Sequence, residues 1–204
     1  MGAIILPILL LFLGLLLASF GNNSCGARSI RYGTMRDNVV SIKALLTNGE
    51  HVTFGSMASE VRGATSSWGN QNLSEKLFEI GRREAEEIDA RFPKIMRRVG
   101  GYNIDALIPD QTKARNLAHL LVGSEGTLAF FEKIELALSP LPTNTVLGVC
   151  HFPSFYEAML ATKEIVSLGP TAVELIDRTM ISLARKIDIF QKVISEVIHD
   201  EAEA

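Results

Sequence analysis

The chain has 204 residues, of which 47% are hydrophobic and 21% charged, and its formal net charge is −3. This length accommodates one domain, or one domain and part of a second. With 20 basic and 23 acidic residues, the charge balance excludes a nucleic-acid binder that depends on neutralising phosphates. Two cysteines, Cys25 and Cys150, are too few for a disulfide framework. The four histidines lack the paired spacing of metal ligands, so the sequence predicts no metal site.

The N-terminus is apolar and carries no charged side chain through Gly21. Residues 3–20 read AIILPILLLFLGLLLASF, and this run of 18 residues lies at the short end of what spans a bilayer as a helix. Arg28, Arg31 and Arg36 follow it, and basic residues favour the cytoplasmic side of a membrane. Three interpretations stay open: a membrane anchor with the remainder on the cytoplasmic side, a cleaved signal peptide, or a wrongly set start of the reading frame.

A loop and a hairpin follow the apolar segment. Gly21–Gly33 is dense in Gly, Asn and Ser, which predicts turns. Val39–Leu46 has the composition of a strand, and Thr47–Glu50 contains the Asn-Gly pair typical of a tight hairpin turn. His51–Phe54 is then the returning strand.

The middle of the chain alternates helix, loop and strand. A helix is expected from Ser74, bounded by Pro93. Leu117–Val122 is apolar and leads directly into the glycine-containing segment Gly123–Thr127, after which Ala129–Leu138 has a strand pattern.

The proline-containing segment Ser139–Thr143 is expected to end this region. Beyond it, strand-like Thr145–Phe152 precedes a helix capped by Ser154, and a short strand at Ala172–Ile176 precedes a helix at Arg178–Lys186. This strand–helix–strand–helix order predicts a second, α/β-layered unit.

Two glycine-rich clusters are the candidate binding elements. Gly21–Gly26 (GNNSCG) and Gly123–Gly126 (GSEG) combine glycines with small hydrogen-bonding residues. Consecutive amides in such turns form nests that hold anionic oxygens, although the same composition also occurs in ordinary turns. Neither cluster is a Walker loop or a GxGxxG fingerprint.

The sequence around the two clusters favours a binding role for them over ordinary turns. The blocks NNSCGARSIRYGTMRDNVVSIKALLTNGE, RRVGGYNIDAL, HLLVGSEGTLAFFEKIELALSPLP and TAVELIDRTMISLAR occur in this order. Together, from Gly21 to Lys186, they resemble the vanillyl-alcohol-oxidase-type flavoproteins. More narrowly, they resemble the branch of glycolate oxidase and of the D-lactate and D-2-hydroxyglutarate dehydrogenases.

This resemblance implies FAD as cofactor and a small 2-hydroxy acid as substrate, with hydride passing to the flavin. It assigns no catalytic residue to this chain. Ala129 and Phe130 stand where most members of the family have Gly-Ile. The residues implied to contact the cofactor lie in the two clusters: Asn22, Asn23, Ser24, Gly26, Gly123, Ser124, Glu125, Gly126 and Thr127.

The resemblance also implies an α+β fold made of two partial domains. Residues 21–142 correspond to the second subdomain of a PCMH-type FAD-binding domain, and residues 143–204 to the start of a ferredoxin-like-type FAD-oxidase C-terminal substrate domain. Residues 1–20 are the apolar segment, in place of the family's first FAD subdomain. We therefore expect an incomplete fragment that is inactive alone. The alternative is a membrane-anchored, non-catalytic subunit that completes a flavin site with a partner chain supplying the missing subdomain.

Overall fold

A computed structural model describes residues 18–56, 71–108 and 115–198. The chain divides into a first unit, Met1–Ser139, and a second unit, Pro140–Ala204. The fold is mixed, with helices and a small antiparallel sheet. This agrees with the expected α+β class, whereas the family domains assigned to residues 1–20, 21–142 and 143–204 stay predictions.

The elements of the described residues are short. The strands are β1 (Val39–Leu45), β2 (His51–Phe54) and β3 (Phe130–Leu136). The helices are α1 (Ser29–Tyr32), α2 (Met35–Asn38), α3 (Gln71–Arg83), α4 (Ala85–Arg91), α5 (Ala118–Leu121), α6 (Phe155–Ser167), α7 (Arg178–Ala184) and α8 (Asp188–Val197), with a 3₁₀ turn at Ile104–Leu107.

The sheet has the strand order β2-β1-β3, and both pairings are antiparallel. The predicted hairpin is confirmed: the amide of Leu46 donates to the Glu50 carbonyl at 2.9 Å, and Gly49 has φ 85° at the turn. A positive φ of this kind is the reason that the turn needs glycine.

Two bulges interrupt the pairing of β1 with β3. One residue on each strand, Val40 and Glu132, lies between consecutive partners of the register and has no partner of its own. The buried positions of β1 are therefore Val39, Ile42 and Ala44 rather than a strict alternation. The Glu132 carboxylate lies 3.3 Å from Lys43 Nζ on β1 and 2.9 Å from a ring nitrogen of His51 on β2.

The core of the first unit lies against one face of this sheet. Its buried residues from the strands, such as Ile42 and Phe54, meet apolar residues from α5, such as Leu121. Asn116 joins α5 to β1, because its Nδ2 donates to the Val39 and Val40 carbonyls at 3.0 and 3.1 Å. The apolar run of Leu117–Val122 is thus a short buried helix.

The helix expected from Ser74 begins within α3, and the turn between α3 and α4 divides it before Pro93. A Cβ atom at Gly81 in α3 would collide with the carbonyl of Leu107 in the 3₁₀ turn. The absence of a side chain at this position therefore allows the two backbones to pack closely.

The second unit keeps its predicted helices and lacks its predicted strands. Ser154 Oγ accepts a hydrogen bond from the Glu157 amide at 3.2 Å, so α6 begins at its predicted cap. Helix α7 begins at Arg178 as predicted, and Asp177 Oδ1 caps it by accepting from the Met180 amide at 2.8 Å. The predictions of strands at Thr145–Phe152 and Ala172–Ile176 are wrong, since residues 140–198 contain no strand. A strand needs a hydrogen-bonding neighbour, and this part of the structure provides none.

The apolar N-terminal segment lies mostly outside the described residues, which begin at Ala18. Across residues 18–56, 71–108 and 115–198, no helix combines the length and apolar character needed to cross a bilayer. Residues 18–21 are helical, and Phe20 is buried in the core of the first unit. The last apolar residue of the segment is therefore a packing element of this unit.

Candidate cofactor site

Two loops that are a hundred residues apart in sequence lie side by side. The first loop is Gly21–Gly26 and the second loop is Gly123–Thr127. The amide of Gly123 donates to the Phe20 carbonyl at 2.9 Å, and the amide of Glu125 donates to the Gly21 carbonyl at 2.9 Å. The structure thus joins the two glycine-rich clusters that the sequence singled out.

Both loops contain left-handed backbone. Asn23 and Glu125 have φ 52°, Gly123 has φ 83° and Gly126 has φ 76°. At Gly123 a Cβ would also lie 3.2 Å from the Cβ of Asn23, so this glycine brings the loops close together. Turns with left-handed residues can direct successive amides toward one point, which is the geometry that binds anionic oxygens.

The nine predicted site residues differ in exposure. Within the loops, Ser24 and Gly123 are half-buried, and the side chains of Asn23 and Ser124 are buried. The exposed residues, which are available to a ligand, are Asn22, Gly26, Glu125, Gly126 and Thr127.

Ser124 has a buried hydroxyl, and no described residue supplies a hydrogen-bond partner for its Oγ. Its carbonyl accepts from Thr127 Oγ1 at 2.5 Å, and that hydroxyl also lies 2.8 Å from the Tyr102 hydroxyl. A buried hydroxyl normally has a partner. The orphaned oxygen is therefore a polar atom of the second loop that the described residues leave unsatisfied.

Beneath the loops lies a polar cluster made of Asn23, Arg36, Arg98, Asn103 and Asp105. Asp105 forms ion pairs with both arginines, at 2.7 Å to Arg36 and 2.5 Å to Arg98. Asn103 Oδ1 accepts from the same two guanidinium groups at 3.2 and 3.0 Å. One carboxylate and one amide oxygen thus fix both guanidinium groups.

The two asparagines connect this cluster to the loops. Asn23 Oδ1 accepts from the Arg36 amide at 2.9 Å, which satisfies the side chain within the protein rather than leaving it for a ligand. Asn103 Nδ2 donates to the Val122 carbonyl at 2.7 Å and to the His119 carbonyl at 3.2 Å. Val122 immediately precedes the second loop, so Asn103 holds the beginning of that loop.

The polar cluster is not recognisable as a unit in the sequence. Three of its members, Arg98, Asn103 and Asp105, lie in the block RRVGGYNIDAL, and Arg36 lies in an earlier block. In the sequence, the polar residues Asn103 and Asp105 stand out within the otherwise apolar segment NIDAL. Sequence spacing alone does not show that Arg36 contacts them.

His119 lies close to this cluster and is half-buried. Burial lowers the pKa of its imidazole, and the nearby Arg36 guanidinium lowers it further, against an opposing hydrogen bond to the Val39 backbone. At neutral pH the ring is therefore uncharged and adds no positive charge beside the two arginines.

No group of three or more His, Cys, Asp or Glu side chains that could hold a metal ion occurs within the described ranges. Both cysteines are unpaired and exposed, and Cys25 lies in the first loop. The polar groups available in the two loops are thus backbone amides, hydroxyls and side-chain amides together with the carboxylate of Glu125.

The sequence of this chain is similar to the sequences of known proteins. Residues 141–202 match the family described as FAD linked oxidases, C-terminal domain. D-2-hydroxyglutarate dehydrogenase of Escherichia coli (strain K12) is 28% identical over 183 residues, which cover 87% of this chain and 18% of that protein. Mitochondrial D-lactate dehydrogenase (cytochrome) of Arabidopsis thaliana is 30% identical over 158 residues, covering 76% of this chain and 19% of that protein.

A third relative, D-lactate dehydrogenase of Archaeoglobus fulgidus, is 25% identical over 166 residues, or 81% of this chain and 26% of that protein. The chain thus spans about a fifth to a quarter of the length of these relatives. These matches make residues 141–202 similar to a domain of FAD linked oxidases and most of the chain similar to 2-hydroxy-acid dehydrogenases, and they support FAD as the cofactor.

Proposed function

We propose that this chain forms part of an FAD-dependent oxidoreductase that oxidises a small 2-hydroxy acid, and that its two loops contact the cofactor. The observation that carries the proposal is the direct hydrogen bonding of the second loop to Phe20 and Gly21 at the start of the first. The names of the relatives support the substrate class, since they act on D-2-hydroxyglutarate or D-lactate.

The residues present fit an FAD molecule at the level of hydrogen-bonding chemistry. The orphaned Ser124 Oγ offers a polar contact, and the left-handed backbone at Glu125 and Gly126 is typical of anion-binding turns. The exposed amide of Asn22 adds a neutral donor and acceptor for a heterocycle edge. When bound, FAD would supply the redox chemistry by accepting hydride from the substrate, while these residues bind and orient it.

We further propose that residues 21–142 correspond to the second subdomain of a PCMH-type FAD domain. Residues 143–204 would then begin the substrate domain, an assignment supported by the family match at 141–202. The C-terminal unit exposes large apolar side chains, for example Val146 at 97% and Leu147 at 84% exposure. Burying them would require further protein, so the polypeptide of residues 1–204 would lack dehydrogenase activity by itself.

An FAD titration of the full chain, followed by amide NMR spectra, tests the proposed contacts. We expect shifts at Gly123–Thr127 and at Asn22–Gly26, with no shifts at the β1–β2 hairpin. Ser124→Ala should weaken the response, because it removes the orphaned hydroxyl. An unchanged spectrum at millimolar FAD would contradict the proposal that these loops contact the cofactor.

A second experiment tests whether the chain is inactive by itself. The chain is mixed with FAD, with D-lactate or D-2-hydroxyglutarate, and with a dye as electron acceptor. No dye reduction is expected. Turnover by a gel-filtered, yellow protein would show that residues 1–204 suffice.

A second candidate function is a non-catalytic subunit that completes a flavin site with a partner chain, attached to the cytoplasmic side of a membrane through residues 3–20. The exposed apolar side chains of the second unit favour it, since a partner would cover them. Membrane fractionation and gel filtration separate the candidates. A monodisperse monomer in the soluble fraction would contradict this second function.

A further inference from the structure

The polar cluster connects separate segments of the first unit through side-chain hydrogen bonds and ion pairs. Asp105 holds Arg36 and Arg98, and both arginines lie partly buried, with 23% and 15% of their side chains exposed. The backbone of Arg36 in turn holds Asn23 of the first loop. The cluster therefore has a fixed connection to one side of the candidate site.

Asn103 supplies the connection to the other side. Asn103 is 1% exposed. Its side-chain oxygen accepts hydrogen bonds from the two guanidinium groups, and its side-chain nitrogen donates to the carbonyls of His119 and Val122. An amide is suited to this position because one planar group must both accept from cations and donate to carbonyls.

We propose that Asn103 is a positioning residue that sets the second loop against the first, by joining the carbonyl of Val122 to the arginine pair. The inference rests on the proposed function, in which the two loops contact one cofactor. Its physical content is independent of any ligand: without the amide nitrogen of Asn103, the second loop separates more often from the first.

The direct bonds between the loops provide the measurement. The amides of Gly123 and Glu125 donate to Phe20 and Gly21, so their hydrogen exchange reports separation of the loops. Amides of β1 in the same chain report wider unfolding of the first unit, so the two rates together distinguish opening of the loops from loss of global stability.

Asn103→Asp is the central variant. It retains an oxygen for Arg36 and Arg98, and removes the donor to the Val122 carbonyl. We expect exchange at Gly123 and Glu125 to rise about tenfold or more, because a buried hydrogen bond is lost and two oxygens are brought face to face. The same loss destabilises the folded unit, so exchange in β1 should also rise and the melting temperature should fall.

Asn103→Ala should produce the same local opening together with a lower melting temperature, since both halves of the amide are lost. Asn116→Ala is the matched control. It also removes hydrogen bonds of an asparagine in the first unit, to Val39, Val40 and Ala118, but none of these reaches either loop. It should lower the melting temperature and raise exchange in β1 without raising exchange at Gly123 and Glu125.

The inference is overturned if neither Asn103 variant raises exchange at Gly123 and Glu125 above that of the unmodified chain, or if Asn116→Ala raises it equally. The FAD titration separates this result from the proposed function. Faster loop exchange in a chain whose spectrum ignores FAD would retain the positioning role and refute the cofactor assignment. Unchanged exchange in a chain that responds to FAD would do the reverse.

Discussion

The two units of the chain differ in what stabilises their helices and strands. The first unit has a buried core in which Ile42, Leu117 and Val122 are fully inaccessible. In the second unit, among residues 140–198, the buried apolar residues are Ala158 and Ile181. Yet helices α6 and α7 begin where the sequence predicts, each with a side-chain cap. Local capping can thus specify where a helix begins, while the packing of that helix requires side chains supplied from elsewhere.

The largest expected effect contrasts one substitution at two leucines. Leu117→Ala, at a fully buried position, should lower the free energy of unfolding by about 2–5 kcal/mol because it leaves a cavity. Leu147→Ala, at 84% exposure, should change it by less than about 0.5 kcal/mol. Urea unfolding followed by circular dichroism measures both. Equal losses would show that Leu147 is packed and that the contrast between the units is false.

The second-largest effect on stability is expected from an alanine substitution at a glycine. Gly81→Ala in α3 should destabilise the first unit by about 1–3 kcal/mol, since the new methyl group meets the Leu107 backbone. This reverses the usual gain from alanine in a helix, which is about 1 kcal/mol. Gly148→Ala in the second unit has nothing within 4 Å of its Cβ and serves as the control. A more stable Gly81→Ala variant would contradict the close approach.

A helix cap tests the dependence of the second unit on local interactions. Asp177→Ala should destabilise α7 by about 1 kcal/mol, because the Met180 amide loses its acceptor. Asp177→Asn, which keeps a capping oxygen, should be nearly neutral. Hydrogen exchange of the α7 amides measures both variants. If α7 were held mainly by packing, the alanine variant would exchange like the unmodified chain.

The smallest effect is a pH dependence of the first unit. Folding lowers the pKa of His119 below its ordinary value of about 6.5, so the unfolded chain takes up a proton more readily than the folded one. This site therefore leaves stability undiminished above about pH 6.5 and reduces it as the pH falls from there toward the folded pKa. Unfolding in urea at several pH values measures the slope. His119→Gln should flatten it, and an unchanged slope in that variant would assign the effect to other groups.

The sequence predicts those features whose information lies within a few residues. The Asn48-Gly49 turn, the strands on either side of it, and the caps Ser154 and Asp177 are all recognisable from adjacent residue types. The prediction of strands at 145–152 and 172–176 is wrong because neither segment has a neighbouring strand to pair with in the described structure.

The candidate site shows the same limit. Composition identified both loops as candidate binding elements, but it did not show that the second loop donates hydrogen bonds to Phe20 and Gly21. Composition did not show that Asn23 and Ser124 are buried beneath the loops. Nor did it show that Asn103 bonds four groups from three segments of the chain, since such a network exists only once the chain has folded.

The paired bulges of β1 and β3 have a consequence for how this sheet tolerates insertions and deletions. Because Val40 and Glu132 each add one unpaired residue, the two strands remain equal in length between their ends. Loss of either residue would leave every other pair of the two strands in place, because neither residue has a partner, and the ladder would become regular at that point. Loss of Glu132 would also remove the carboxylate that lies beside Lys43 and His51 on the two other strands. A single-residue deletion at Val40 should therefore be accepted by the sheet more readily than one at Glu132.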